Sequence, residues 1–271
     1  MKRALTIMIA LAPPLMSFEE SPWLNFPYEV HFSSAVDQSY YASLAGDHLQ
    51  TNRYENSWNT QLNLNLSVAT LSLYDVEVEG EFFSTSATSF TLESAAIQMR
   101  KQILDDIQGD VVSLTLGANL RFVPTHALKD PYVPYQGLLN LEVSGSMGKE
   151  FDNGSDWIRR FYVLIAPGVA NRGAFYLRAD GRFDWHQKSH TVGVLLNSLL
   201  GFGNTHTVDW SNFQGYGQIW HQAIDLGVIY TYHFDLYGAL SFALTYRPYA
   251  MNVPRHLTRG EIRYELPFSV F

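Results

Sequence analysis

The segment NTQLNLNLSVA, residues 59–69, alternates polar and apolar residues with a period of two. Because successive side chains of a β-strand point to opposite sides, its large apolar residues all fall on one face. That face holds Leu62, Leu64, Leu66 and Val68, whereas the other face holds Asn63, Asn65 and Ser67. The pattern predicts a strand with one apolar and one polar side.

The same alternation continues along the chain. It is clear in residues 111–122, 137–147, 175–185 and 223–234, and weaker in residues 28–36, 72–84, 91–104, 157–168, 190–200, 237–248 and 257–270. Together with residues 59–69 this gives twelve strands, an even number, as in single-chain bacterial membrane barrels. Residues 92–107 are also rich in helix formers, so a helix is the alternative there. The turn-forming residues Asp105, Asp106 and Gly109 favour a strand that ends before them.

The composition favours a membrane protein. Charged residues make up only 16% of the chain, below the usual quarter, while aromatic residues reach 14%. A barrel that faces lipid needs few outer charges and uses aromatic residues at the two interfaces. We therefore predict an all-β fold, a transmembrane antiparallel up-and-down β-barrel of about twelve strands. A soluble barrel or sandwich with its apolar face turned inward is the alternative that the period leaves open.

The first residues have the pattern of an export signal. Lys2 and Arg3 precede an apolar stretch at residues 4–16, which ends at the small residue Ser17. We predict that residues 1–17 are a cleaved signal peptide and that residues 18–271 form one barrel domain in the cell outer membrane. An uncleaved membrane anchor is the alternative. The net charge of −8 argues against a nucleic-acid partner, because binding phosphates requires a basic surface.

The connections between predicted strands differ in length in an alternating way. The long ones, at residues 37–57, 124–134 and 201–215, all fall on one side of the predicted barrel. Outer-membrane barrels have short periplasmic turns and longer outer loops. This alternation of long and short connections predicts that both ends of the barrel domain lie on the periplasmic side.

The chain ends YELPFSVF, residues 264–271, an amphipathic strand that closes on an aromatic residue. This ending resembles the assembly signal of Gram-negative outer-membrane proteins. The resemblance is to a broad class and implies an outer-membrane β-barrel, in contact with outer-membrane lipid. It also implies that the barrel assembly machinery recognises the strand that ends at Phe271.

If the apolar faces meet lipid, the barrel interior is strongly charged. The predicted pore-lining residues are Glu77, Glu79, Glu81, Arg121, Arg178, Asp180, Arg182 and Asp184. The three glutamates share one strand, and the charged residues from 178 to 184 share another, so two charged walls are expected. Such walls select solutes by charge if the lumen is open. They form ion pairs that fill a narrow lumen if it is closed.

Patterns that would support catalysis are weak, and we assign no catalytic residue, cofactor or metal ligand. His31 and Ser33 have the spacing of a barrel lipase, but alternation places them inside the barrel, away from lipid. Asp184 and His186 have the residue types of a barrel protease, but they fall at the periplasmic end. The segment HTVDWS, residues 206–211, contains the three residue types of a hydrolytic triad within an outer loop.

The sequence thus predicts a narrow, porin-like channel for small polar solutes. An outer-membrane hydrolase of the lipase or protease type is one alternative. A structural or adhesin barrel without transport is another.

Overall fold

A computed structural model describes residues 21–46, 56–70, 73–152, 157–234 and 237–269. Nearly all regular structure in these ranges is β-strand. The strands are β1 (Glu29–Tyr41), β2 (Ser43–Leu44), β3 (Ser57–Ala69), β4 (Tyr74–Ser84), β5 (Thr91–Leu104), β6 (Ser113–Phe122), β7 (Leu139–Asp152), β8 (Ile158–Ala170), β9 (Tyr176–Gln187), β10 (His190–Phe202), β11 (Trp220–Phe234), β12 (Gly238–Met251), β13 (Pro254–Arg255) and β14 (Thr258–Ser269). Two 3-10 turns, Ala127–Lys129 and Trp210–Asn212, are the helical elements of the described ranges.

Twelve of the strands form one closed antiparallel barrel, as the alternation predicts. Each strand pairs with its neighbour in sequence, and β14 pairs with β1 to close the barrel. The short strands β2 and β13 form a separate two-stranded sheet. Closure matters because it leaves no strand edge with unpaired backbone groups, which hydrocarbon does not tolerate.

Polar and apolar side chains are distributed over the two faces of the barrel wall in the opposite way to a soluble protein. In β3 the polar residues Asn59, Gln61 and Asn63 are 2% exposed, whereas the apolar residue Leu66 is 49% exposed. Leu116 and Leu141, predicted to face lipid, are 49% and 47% exposed. Polar side chains therefore fill the interior and apolar side chains cover the outside. This arrangement excludes the soluble barrel or sandwich with an apolar interior.

Residues 92–107, where the sequence allowed a helix, contain most of β5. The strand ends at Leu104, and hydrogen bonds to Asp105 carbonyl and carboxylate oxygens close the turn after it. β1 runs to Tyr41, beyond its predicted end at residue 36. In the described part of the chain no helix is long and apolar enough to cross a membrane.

The barrel has two different ends. We call the end where β1 finishes the loop end; it carries the connections at 85–90, 123–138, 171–175, 203–219 and 252–257. We call the other the turn end; it carries the connections at 105–112 and 188–189, the start of β1 and the end of β14. The predicted signal peptide and Phe271 lie outside the described residues.

Two connections at the loop end fold inward, and we call residues 123–138 and 203–219 together the plug. The first packs Val123, Leu128 and Val133 against Phe83 and other apolar residues of the barrel. The second forms its own apolar cluster around Tyr216. The two connections are joined because the Tyr216 amide donates to the Tyr135 carbonyl at 3.1 Å. The sequence predicts these loops, but as outer loops and not as a plug.

Candidate functional site

A cavity of about 340 Å³ occupies the turn-end half of the barrel interior. Its wall includes charged and polar side chains from β1, β4, β8, β9, β11 and β14. Small side chains of β12, Ala239, Ser241 and Ala243, also face it and leave it room. The loop-end half contains buried side chains instead, with Arg121 and Tyr216 each 1% exposed. The interior thus consists of a polar cavity in the turn-end half and a section filled with side chains in the loop-end half.

All eight predicted pore-lining residues lie on the inner face of the barrel, in two groups. Glu77, Asp180, Arg182 and Asp184 line the cavity. Glu79, Glu81, Arg121 and Arg178 lie in the filled section, at most 2% exposed. The side-chain direction follows from the alternation, whereas the division into two groups comes from the plug. That any of them lines a conducting path stays a prediction.

Arg121 of β6 is the centre of an ion-pair network in the filled section. Its Nη1 donates to Glu81 Oε2 at 2.7 Å, and its Nη2 donates to Glu79 Oε2 at 3.0 Å. Ser94 also contacts both Arg121 and Glu81. The guanidinium lies 4.9 Å from the centre of the Tyr135 ring, and the Tyr135 hydroxyl donates to Glu81. The network therefore ties the plug to the barrel wall.

A β-bulge adds a buried carboxyl group beside this network. The register between β4 and β5 shifts between Glu81 and Phe82, because Glu81 pairs with Ser94 whereas Phe82 pairs with Leu92. The extra residue is Glu93, and both Glu93 and Ser94 are buried inside the barrel. A bulge places two successive side chains on one side. Strict alternation cannot reveal this, so the sequence reasoning missed both residues.

Two further buried arginines are also bound by carboxylates. Arg178 donates from Nη2 to Glu142 Oε1 at 2.8 Å and from Nη1 to Asp180. Arg247 donates from Nε and Nη2 to the two carboxylate oxygens of Asp225, at 2.6 and 2.8 Å. The paired residues Glu142, Asp225 and Arg247 lie on the polar faces of recognised strands but were absent from the predicted set.

These pairs change the expected picture of two opposed charged walls. Glu79 and Glu81 pair with Arg121 from a strand two positions away, not with Arg178 or Arg182. Arg178 and Arg182 pair with acidic residues of their own side of the barrel, and Arg182 donates from Nε to Asp184 at 2.8 Å. Charge is therefore neutralised locally, between near strands or within one strand.

The residues before β1 close part of the turn end. Trp23 is buried, and its indole donates to Asp106 Oδ1 at 2.8 Å in the turn between β5 and β6. The Thr115 hydroxyl donates to the Pro22 carbonyl at 2.6 Å, and the Arg160 guanidinium lies 5.1 Å from the centre of the Trp23 ring system. These contacts hold residues 21–23 across the mouth of the cavity.

Asp106 is the anchor of this segment. Partial burial alone would raise the pKa of Asp106, but hydrogen bonds from the Ser113 hydroxyl, the Glu150 amide and the Trp23 indole outweigh it. The net effect is a pKa below the ordinary value of the carboxyl group. Each of these donors stabilises the charged form.

The residues considered for catalysis have other contacts. His31 lies between two carboxylates, with its ring nitrogens 3.0 Å from Glu29 and 2.9 Å from Glu265. His186 is 2.7 Å from the Thr191 hydroxyl at the turn end. Asp209 accepts from the amide and hydroxyl of Ser211, a local cap of the short 3-10 turn. Among the described side chains, no group of three or more His, Asp or Glu has the arrangement of a metal site.

Comparison with known protein families gives no match, and no curated protein is similar enough in sequence to match. Solved structures do match. An outer-membrane channel from Pseudomonas putida F1 superposes with a TM-score of 0.66 at 11% identity, covering 93% of this chain and 100% of that chain. The fold is that of an outer-membrane β-barrel. The NanC porin superposes with a TM-score of 0.52 at 12% identity, covering 88% of this chain and 100% of that chain.

Proposed function

We propose that this outer-membrane barrel is a narrow, porin-like channel for small polar solutes. The observation that carries the proposal is the polar cavity of about 340 Å³ inside a barrel whose outside is apolar. A barrel that served only as an anchor or scaffold would not need a polar cavity of this volume. The folds of the two solved structures described above, an outer-membrane channel and a porin, support the same function.

The orientation follows from the loop lengths. We place the turn end, with its short connections, in the periplasm and the loop end outside, because outer-membrane barrels are built that way. The cavity then opens toward the periplasm, and the plug lies on the external side. We keep cleavage of residues 1–17 and recognition of the strand ending at Phe271 by the barrel assembly machinery as parts of this proposal.

The plug restricts passage through such a channel. Because Arg121, Tyr135 and Tyr216 fill the external half of the lumen, passage requires the plug to move or to leave a narrow path beside it. The proposal therefore implies a small conductance that rises when the plug is loosened.

A planar lipid bilayer tests the proposal. Purified full-length protein should give discrete conductance steps, and a variant in which residues 125–137 are replaced by a short Gly-Ser linker should give larger steps. An adhesin or scaffold predicts silence for the unmodified chain. Silence together with hydrolysis of lipid or peptide would instead support the enzyme alternative.

A further inference from the structure

Six of the interior arginines fall into two classes that differ in how their nitrogens are used. Arg121, Arg178 and Arg247 bind carboxylates through terminal nitrogens, often two at once. Their side chains are at most 6% exposed. Because carboxylates of the barrel wall already occupy terminal nitrogens of these three buried guanidinium groups, we treat these arginines as structural.

Arg160, Arg182 and Arg263 are bound differently. Each donates from Nε to one carboxylate, of Glu150, Asp184 and Glu261 respectively, at 2.7, 2.8 and 2.8 Å. Their side chains are 34%, 26% and 26% exposed, and all three line the cavity. Within the described ranges, no terminal nitrogen of these three arginines has a hydrogen-bond partner. A carboxylate on Nε fixes the guanidinium plane and leaves the terminal N–H groups available.

Arg182 and Arg263 face the same cavity from different parts of its wall. They belong to β9 and β14, which are separated by three strands around the barrel, yet each lines the same space. Both side chains carry a positive charge, and like charges that face one cavity repel each other. A negative group between them would relieve this repulsion and accept N–H groups from both sides.

Each of the five acidic residues of the cavity already interacts with a donor, and for four of them that donor is a basic side chain. The pairs are Glu77 with Asn65, Asp180 with Arg178, Asp184 with Arg182, Glu261 with Arg263 and Glu265 with His31. The terminal N–H groups of Arg160, Arg182 and Arg263 are strong donors at the cavity wall that no described residue uses. Its volume is at the lower end of the range for small-molecule sites.

We propose that the cavity binds the carboxylate or phosphate group of a small solute between Arg182 and Arg263, with Arg160 as a third donor near the mouth. This inference rests on the proposed channel function and names the class of solute that the channel selects. The solute enters from or leaves to the turn end. The acidic group accepts hydrogen bonds from the terminal N–H groups that Asp184 and Glu261 leave unused.

Equilibrium binding tests the site without relying on conduction. The full chain folded in detergent is titrated calorimetrically with gluconate, with its neutral analogue sorbitol, and with inorganic phosphate. Gluconate or phosphate should bind and sorbitol should not. R182M/D184N removes one donor and its partner without changing the net charge, and it should weaken binding roughly tenfold to a hundredfold, the worth of a charged hydrogen bond. R159M removes an exposed charge on the outer face of β8 and should leave binding unchanged.

A second variant protects the test against misfolding. Ala243 lies beside Glu261 in the pairing of β12 with β14 and faces the cavity. A243W keeps every charged residue but fills the space, so it should abolish binding in a barrel that still shows the gel shift of a folded membrane barrel.

The proposal is overturned if neither anion binds, if sorbitol binds as well as gluconate, or if folded A243W binds normally. It is also overturned if R182M/D184N binds as tightly as the unmodified chain. Conductance in potassium chloride without added solute tests the channel separately. Steps without anion binding would remove the site and keep the channel, whereas anion binding without steps would do the reverse.

Discussion

Replacing Arg121 by Met should destabilise the barrel more than replacing Arg182, an arginine of the cavity wall. Arg121 is 1% exposed, and its removal leaves Glu79 and Glu81, both fully buried, without their cation. Breaking a buried ion pair by removing one partner costs about 3–5 kcal/mol. R182M removes one bond at the cavity wall, where the Arg182 side chain is 26% exposed and Asp184 is 7% exposed but borders the cavity, so we assign this pair the value of a solvent-exposed one, about 1 kcal/mol or less. The predicted gap between the two variants is therefore roughly 2–4 kcal/mol.

Unfolding by urea in lipid vesicles, followed by the fluorescence of the six tryptophans, measures this gap. The triple variant R121M/E79Q/E81Q provides an internal control, because it removes the uncompensated charges together with the cation. It should recover most of the lost stability, since neutral replacements of a buried ion pair are often tolerated. Equal losses for R121M and R182M, or no recovery in the triple variant, would refute the division of the arginines into structural and solute-binding classes.

Two further changes address the plug and the turn end. Y135F removes the hydroxyl that donates to Glu81, a hydrogen bond to a charged group worth about 1.5–3 kcal/mol, so the plug should open roughly tenfold more often or more in bilayer recordings. An unchanged open probability would show that this contact does not hold the plug. The lowered pKa of Asp106 means that its contribution to holding Trp23 is complete above the ordinary Asp pKa and is lost as the pH falls through the lowered value. Trp23 fluorescence should therefore change in the acid range below about pH 4, and D106N should show the changed signal at neutral pH, whereas a transition near pH 7 would contradict the assignment.

The sequence predicts the fold well because the fold is encoded in a local period. Every barrel strand appears as an amphipathic segment, and the inner position of Glu77 or Arg182 follows from counting along its strand. The ion-pair partners do not follow, because they depend on which strands are neighbours and on the register between them. Arg121 on β6 reaches Glu81 on β4 across the intervening strand, and the bulge that places Glu93 beside them is a break in the period that the prediction uses.

The inward folding of the plug could not be predicted from the sequence, for a different reason. Residues 123–138 are irregular, so neither a period of two nor a helical period indicates where they lie. One signal was available, since Val123, Leu128, Tyr132 and Val133 are unusually apolar for a loop in water. Apolar loop residues need a place to be buried, and in a polar barrel they find it against each other and against Phe83. The division of the interior into a filled section and a cavity follows from this packing.

The most direct measurement of the central claim is thiol modification during bilayer recording. The chain contains no cysteine, so single cysteines at neighbouring positions of β12 give a clean comparison. Ala243 faces the cavity, whereas Leu244 lies on the outer face and is 50% exposed. A charged methanethiosulfonate reagent added on the turn-end side should reduce the conductance of A243C in discrete steps and leave L244C unchanged. If labelled A243C conducts like the unmodified chain, ions do not pass through this cavity and the channel account is wrong.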